Sequence, residues 1–253
     1  MIKSDFWKLP LSFLSFFKQL LIAYWRSLLL LLIGVYLPLQ VFGLLAVEIW
    51  KNKGGFPWDV PILIAIHTAA RTQLDVLATI LTKLGSVWTA LPVVSVIALV
   101  LFFRRRWRSL TYLLITTVGS TVINLTVKQI IHRVRPQLWQ SLTPEPDYAF
   151  PSGHAMTSMT LVAALVILTW GSFWCWLVLI FGSLFVVAIG WTRLYLGVHF
   201  PSDILAGWMV SVAWAIGVSL LIKPHLTKAI SIDEQATDEN SLMPQEAQSI
   251  GEN

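Results

Sequence analysis

Uncharged apolar runs alternate with short polar clusters along this chain. Four runs of about 20 residues cover 27–47, 84–103, 109–127 and 204–222, and one of nearly twice that length covers 155–192. A membrane-spanning helix needs roughly 18–20 consecutive apolar residues, so each of the four predicts one crossing. The long run predicts two, with a reversal near Gly171-Ser172, where small turn-prone residues interrupt it. The pattern therefore predicts an all-α, integral membrane six-helix bundle. Between the first and second spans, after a turn at 51–55, Leu63, Ile66, Ala70, Leu74, Leu77 and Leu81 recur at three- and four-residue steps. That is an amphipathic helix period. With Arg71 and Asp75 one turn apart among many polar positions, this stretch is expected to be an interfacial helix rather than a further span.

Composition agrees with the pattern: 253 residues that are 56% hydrophobic and 12% charged exclude an ordinary soluble domain. The lone Cys175 has no partner for a disulfide and excludes a thiolate metal site, so it is expected to pack as a small hydrophobe. The net charge of +5 would suggest nucleic acid in a soluble protein, but here the basic residues must first be sorted by membrane side.

Four arginines in the short loop Arg104-Arg105-Arg106-Trp107-Arg108 mark the cytoplasmic side. Residues 1–26 carry Lys3, Lys8, Lys18 and Arg26 among Phe, Trp and Leu, which suits a cytoplasmic segment lying on an anionic leaflet. The first run is too long for the core of a signal peptide and no cleavage site clearly follows it, so it is expected to stay as a span. Residues 27–222 form the membrane domain. Residues 223–253 hold six acids among Ser, Gln and Asn and are expected to be a disordered cytoplasmic tail. No nucleic-acid motif, long repeat or internal domain boundary is visible.

With the arginine loop inside, three polar clusters converge on the outer face, at what is expected to be the cell membrane. They are Lys128…Arg135-Pro136, Pro151-Ser152-Gly153-His154 and Arg193…His199…Asp203. Lys128, Arg133, Arg135 and Arg193 thus lie where topology does not call for cations, and charged groups at span ends are costly unless paired. An anionic ligand would pair with all of them.

Each cluster has its own chemistry. Lys128 and Arg135, seven residues apart, would share a face if the third helix ran on to Pro136, and an ammonium beside a guanidinium suits the oxygens of one phosphate. Alone, that spacing equally fits a basic helix end among lipid headgroups, and His132 between them reads as a bystander. In the second cluster Pro151 and Ser152 open a helix, whose free N–H groups and partial positive charge receive phosphate. Gly153 allows close approach, and His154 at the mouth could protonate a leaving oxygen. The third cluster repeats Phe-Pro-Ser at 200–202, so two helix N-termini are expected to face one anion. Asp203, four residues after His199, would fix the imidazole tautomer and free Nε2 as a nucleophile, with Arg193 on the equatorial oxygens.

In order, these motifs read Lys-x6-Arg-Pro, Pro-Ser-Gly-His and Arg-x5-His-x3-Asp. The pattern resembles the type 2 phosphatidic acid phosphatase superfamily, the membrane branch of the vanadium haloperoxidase and acid phosphatase fold. The resemblance implies a six-span bundle and metal-independent hydrolysis through a phosphohistidine, with no cofactor. It implies that Lys128, Arg135, Ser152, Gly153 and Arg193 bind phosphate. His154 would be general acid and then base, and His199 with Asp203 the nucleophile pair. Thr192 stands where the family usually has Ser and keeps the hydroxyl.

The soluble haloperoxidase branch is disfavoured by the apolar runs, and a dinuclear metal site by the single carboxylate, Asp203, in the three motifs. Glu145 and Asp147 read as loop residues that shape the entry. The substrates implied are undecaprenyl pyrophosphate, phosphatidylglycerophosphate, phosphatidate and related lipid phosphates, with a soluble sugar phosphate as an outlier. The competing function is a non-catalytic lipid phosphate binder or transporter. His154, His199 and Asp203 argue against it, because binding needs cations and not a nucleophile. Oligomeric state is not encoded.

Overall fold

The computed structural model describes residue 22 and residues 24–52 and 55–224, and these are all-helical apart from turns and loops. The 1–26 segment falls almost wholly outside them, as does the acidic tail beyond residue 224. The helices are α1 (Tyr24–Lys51, with Leu32–Tyr36 wound as a wider π turn), α2 (Asp59–His67), α3 (Thr72–Leu84) and α4 (Val87–Phe103), followed by α5 (Trp107–Ile131), α6 (Gly153–Leu168), α7 (Phe173–Tyr195) and α8 (Pro201–Ile222).

Among the described residues α1, α5, α7 and α8 are long and apolar enough to cross a membrane. The α3–α4 pair, bent by 42°, would add a fifth crossing if counted as one span, while α6 has 16 residues. The 155–192 run does reverse where expected: α6 and α7 flank a turn in which Gly171 has φ +78°, a conformation that favours glycine. The expected interfacial helix is instead two helices, broken at 68–71. Tyr195 stabilises the break, receiving the Arg71 N–H at 3.1 Å and donating its hydroxyl to Asp75 at 2.6 Å.

At the centre α8 packs on α6, α1 and α5, and α7 packs on α6 and α3. Small residues and buried polar contacts join the helices: Ser120 to Thr160 at 2.8 Å, Ser211 to the Met156 carbonyl at 3.2 Å and Trp214 to the Thr116 carbonyl at 3.1 Å. This suits helices in lipid, where apolar burial drives association weakly and close approach with interhelical hydrogen bonds matters more. Large apolar side chains such as Leu44, Phe103 and Phe181 point outward.

One end of the bundle holds the arginine loop. Ser109 there bonds the Pro224 carbonyl at 3.3 Å, bringing the start of α5 beside the end of α8. At the other end Leu45 and Ile49 of α1 pack with Ile131, Phe150 and Ala206, directly under the three polar clusters.

Candidate active site

The end of α5 sets the first part of the site, and it differs from the expected helix. α5 stops at Ile131, and His132 caps it in the left-handed conformation, φ 53° and ψ 40°, with its N–H on the Lys128 carbonyl. The chain then leaves the helix, and Ala149 N–H bonds the Arg133 carbonyl at 2.9 Å. Lys128 and Arg135 are therefore not on one helical face. They still converge, because both side chains reach the Asp147 carboxylate. Arg133 and Arg135, two residues apart, turn inward while Val134 faces out. His132 stands aside, its ring edge-on to Tyr148.

The loop that follows carries Pro144-Glu145-Pro146-Asp147. Two prolines with fixed φ stiffen it, and both carboxylates reach the cations. Glu145 Oε2 meets Arg135 Nη2 at 2.7 Å, and Oε1 pairs with Arg193. The same carboxylate lies 3.9 Å from His154 Nδ1 and 4.0 Å from His199 Nε2. Glu145 thus occupies the point on which both histidines and two arginines converge. Burial would raise its carboxyl pKa, but Arg193 foremost and then its other cationic neighbours outweigh burial and hold it below the usual range. Asp147 shows the same balance: partial burial raises it, and Lys128 and Arg135 bring it below the usual value.

The remaining residues come from helix ends. Ser152 caps α6, its buried Oγ accepting the Ala155 N–H at 3.5 Å, and its own N–H bonds the Asp203 carbonyl at 3.1 Å. Gly153 and His154 open α6, and a Cβ on Gly153 would touch Asn124 Oδ1 at 3.4 Å. Arg193, at the end of α7, is buried, with Nη1 on the Thr82 hydroxyl at 2.7 Å. Thr192 bonds the Ile189 carbonyl within its own helix.

His199 is fully buried just before α8. Arg135 Nη1 lies 3.0 Å from its Nε2. Guanidinium can only donate, so Nε2 is the acceptor and the neutral ring carries its proton on Nδ1. Nδ1 faces Asp203 Oδ2 at 3.5 Å. Burial first, and then the charges of Arg135 and Arg193, push the imidazole well below its ordinary pKa, so it is neutral at pH 7.

Beneath His199 the structure corrects two expectations. Arg133 does not face a ligand: its fully buried guanidinium bonds Asp203 Oδ1 at 2.5 Å and Asp59 Oδ2 at 2.7 Å. Nor is the α8 N-terminus open to an anion. Asp59 Oδ1 accepts the Ser202 N–H at 3.0 Å, and Asp203 Oδ2 accepts the Phe200 N–H at 2.8 Å. The start of α8 therefore already holds two carboxylates.

Sequence reasoning missed Asp59 and Thr82 and gave Glu145 too small a part. A charge count was the available signal, since four inward cations, Lys128, Arg133, Arg135 and Arg193, meet only three nearby acids in the motif region, and Asp59 is the fourth. Among the described residues no three His, Cys, Asp or Glu side chains group so as to hold a metal ion.

The family model described as PAP2 superfamily matches residues 108–225. An undecaprenyl-diphosphatase of Sulfolobus acidocaldarius is 29% identical over 205 residues, covering 79% of this chain and 91% of that protein. Phosphatidylglycerophosphatase B of Bacillus subtilis is 32% identical over 145 residues, 55% of this chain and 70% of that one. The crystal structure of a transmembrane PAP2 type phosphatidylglycerolphosphate phosphatase from Bacillus subtilis superimposes with a TM-score of 0.66 and 28% identity, covering 75% of this chain and 97% of that one.

Proposed function

The chain belongs to the PAP2 superfamily, and from that membership we propose that it hydrolyses a membrane lipid phosphate or pyrophosphate through a phosphohistidine on His199. It is an integral membrane phosphatase, like its relatives. The observation that carries the mechanism is the position of Glu145, a carboxylate standing among Arg135, Arg193, His154 and His199 where a phosphate would sit.

In this reading substrate phosphate replaces Glu145 and Asp147 on Lys128, Arg135 and Arg193, with the α6 N-terminus at Gly153 adding its dipole. His199 Nε2 attacks phosphorus, a P–N bond forms and the P–O bond to the leaving group breaks. His154 takes up a proton as the phosphate arrives and gives it to the departing oxygen, then regains one from the water that cleaves the phosphohistidine. Asp203 faces the Nδ1–H and offsets the positive charge that the ring acquires. Three cations do the neutralising that a metal would otherwise do, so activity in EDTA should equal activity without it. Loss in chelator with rescue by a divalent ion would overturn this.

The substrate is a lipid of the undecaprenyl pyrophosphate, phosphatidylglycerophosphate or phosphatidate kind. A cavity of about 140 Å³ between α4, α5 and α6 runs from Asn124 and Gly153 along Val87, Leu91 and Met156, and offers a path for its tail. Phosphate release from a panel of lipid phosphates by purified protein identifies the preferred headgroup. A soluble sugar phosphate turned over faster than every lipid would sink the lipid assignment.

The six crossings are α1, the bent α3–α4 pair, α5, α6, α7 and α8. At 1.5 Å per residue α6 spans only about 24 Å, and the flanking Phe150–Ser152 and Thr169-Trp170 extend it. With the arginine loop read as cytoplasmic, the site would open on the extracytoplasmic face, and the positive-inside pattern supports that reading. A cysteine at Gln140, introduced after Cys175→Ser, should react with an impermeant reagent in intact cells; labelling only after lysis would invert the orientation.

A further inference from the structure

Two carboxylates and one guanidinium are fully buried beneath the nucleophile: Asp59, Asp203 and Arg133, each with a side chain 0% exposed. Burying charge is costly, and a pair alone is often no more stable than apolar residues of the same shape. The third charge therefore needs an explanation beyond holding helices together.

The geometry is specific. Arg133 presents Nη1 to Asp203 Oδ1 and Nη2 to Asp59 Oδ2. Asp59 is further held by the Ser202 N–H at 3.0 Å, the Ser202 hydroxyl at 2.6 Å and the Phe56 N–H at 3.2 Å. The guanidinium lies 4.3 Å over the Phe200 ring. Gly55, at φ +79°, closes the other side: a Cβ there would collide with Arg133 Nη2 and lie 2.8 Å from Asp59 Oδ2. Asp59 comes from the start of α2, far in sequence from the three motifs, so this arrangement is built by the fold.

If Arg133 paired with Asp203 alone, the carboxylate behind His199 would be neutralised. We propose that Asp59 is a positioning residue: by taking one edge of Arg133 it leaves the cluster one net negative charge, which Asp203 presents to His199 when the imidazole becomes a cation. This inference rests on His199 being the nucleophile. The other charges facing that ring are Arg135 from the segment after α5, Glu145 from the loop, Lys128 from α5 and Arg193 from α7. None of them changes in the variants below.

The test is a charge cycle, with turnover of phosphatidate in detergent micelles measured against pH and inorganic phosphate affinity measured alongside. Asp59→Asn brings the cluster to zero. It should lower kcat by roughly 10- to 100-fold and move the acid limb of the kcat/KM profile to lower pH, with phosphate affinity unchanged. Arg133→Gln leaves two negative charges and should move that limb to higher pH. The double variant Asp59→Asn/Arg133→Gln restores one negative charge and pairs two amides, so it should regain most of the lost kcat and a near-wild-type limb.

A purely structural role predicts additive losses and an immobile limb, and either result overturns the proposal. Where a single variant does not fold, the double variant still decides: an inactive but folded double variant with full phosphate affinity refutes the charge balance. Acid-quenched wild type given labelled phosphatidate separates the two levels. Label absent from wild type would refute the nucleophile itself. Label present in wild type and formed at the same rate in Asp59→Asn would refute only the part given to Asp59.

Discussion

Two sets of ion pairs meet at His199, and they differ in what surrounds them. At the mouth, Lys128, Arg135 and Arg193 pair with Glu145 and Asp147, whose side chains are 25% and 50% exposed and sit on a loop stiffened by Pro144 and Pro146. At the floor, Arg133 pairs with Asp59 and Asp203 with no exposure at all. Water and an incoming anion can compete for the first set, and nothing can compete for the second without unfolding it. On the function proposed above, the mouth acids are replaceable occupants of cation sites, while the floor acids form part of the scaffold. Four cations and four carboxylates balance in charge, so an arriving phosphate needs the mouth acids to give way.

His199 lies against both sets, and its removal should give the largest effect. His199→Ala should abolish turnover, and acid-quenched protein given labelled substrate should carry no label. His154→Ala should lose roughly 10²–10⁴-fold on a monoester, the usual contribution of general acid catalysis. It should lose less on a diphosphate, whose leaving phosphate is already a weak base. Near-wild-type phosphate release by His199→Ala would replace the phosphohistidine with activated water.

The sharpest way to break the comparison is to make one change on each side. Arg133→Ala strands two buried carboxylates, and breaking a buried pair costs about 3–5 kcal/mol. It should lower the unfolding temperature steeply or prevent accumulation in the membrane. Arg135→Ala leaves its acids in reach of water and of Lys128 or Arg193 and gives up its hydrogen bonds to the Val198 carbonyl and His199, so the protein should stay folded with a clearly smaller drop in unfolding temperature than Arg133→Ala and should lose phosphate affinity. Equal stability for the two variants, measured by thermal unfolding in detergent, would erase the distinction.

The mouth was largely legible in the sequence and the floor was not, for a physical reason. Lys128, Arg135, His154, Arg193 and His199 sit at the ends of apolar runs, where any charged group signals a site, and Ser152 announced its helix start. Asp59 lies 69 residues or more before those motifs, at the head of a run that reads as an ordinary amphipathic helix. Its pairing with Arg133 exists only once α2 packs against α8. The stop of α5 at Ile131 was equally hidden, because His132 adopts a left-handed conformation that glycine or asparagine would have advertised. The reversal at Gly171 was visible because glycine did advertise it.

Glu145 offers a smaller and more pointed test of replaceability. If its carboxylate competes with phosphate for Arg135 and Arg193, Glu145→Gln should tighten inorganic phosphate binding by roughly three- to ten-fold, the scale of a partly screened ion pair. The gain should shrink as pH falls below the usual carboxylate range, because Glu145 titrates below it and its protonated form no longer competes. Weaker phosphate binding in Glu145→Gln would mean that the carboxylate helps to hold the anion rather than excluding it.

The smallest effect expected is on stability in Asp147→Asn. Asp147 has its carboxyl held below the usual value: burial opposes this, and Lys128 and Arg135 prevail. A depressed acid stabilises the fold above its unfolded pKa, and that contribution is lost as pH falls through the folded value. With the side chain half exposed, solvent screening limits the contribution to about 0–1 kcal/mol. Asp147→Asn should therefore unfold within a few degrees of wild type at pH 7, and the gap should close in acid as the wild-type carboxylate protonates. Raised salt should close it too, because the pair is open to counterions. The floor should respond to neither condition over the same range, since no ion reaches Arg133. A large, salt-insensitive loss in Asp147→Asn would place it with the floor residues, and the loop would then have to be regarded as a fixed wall of the site.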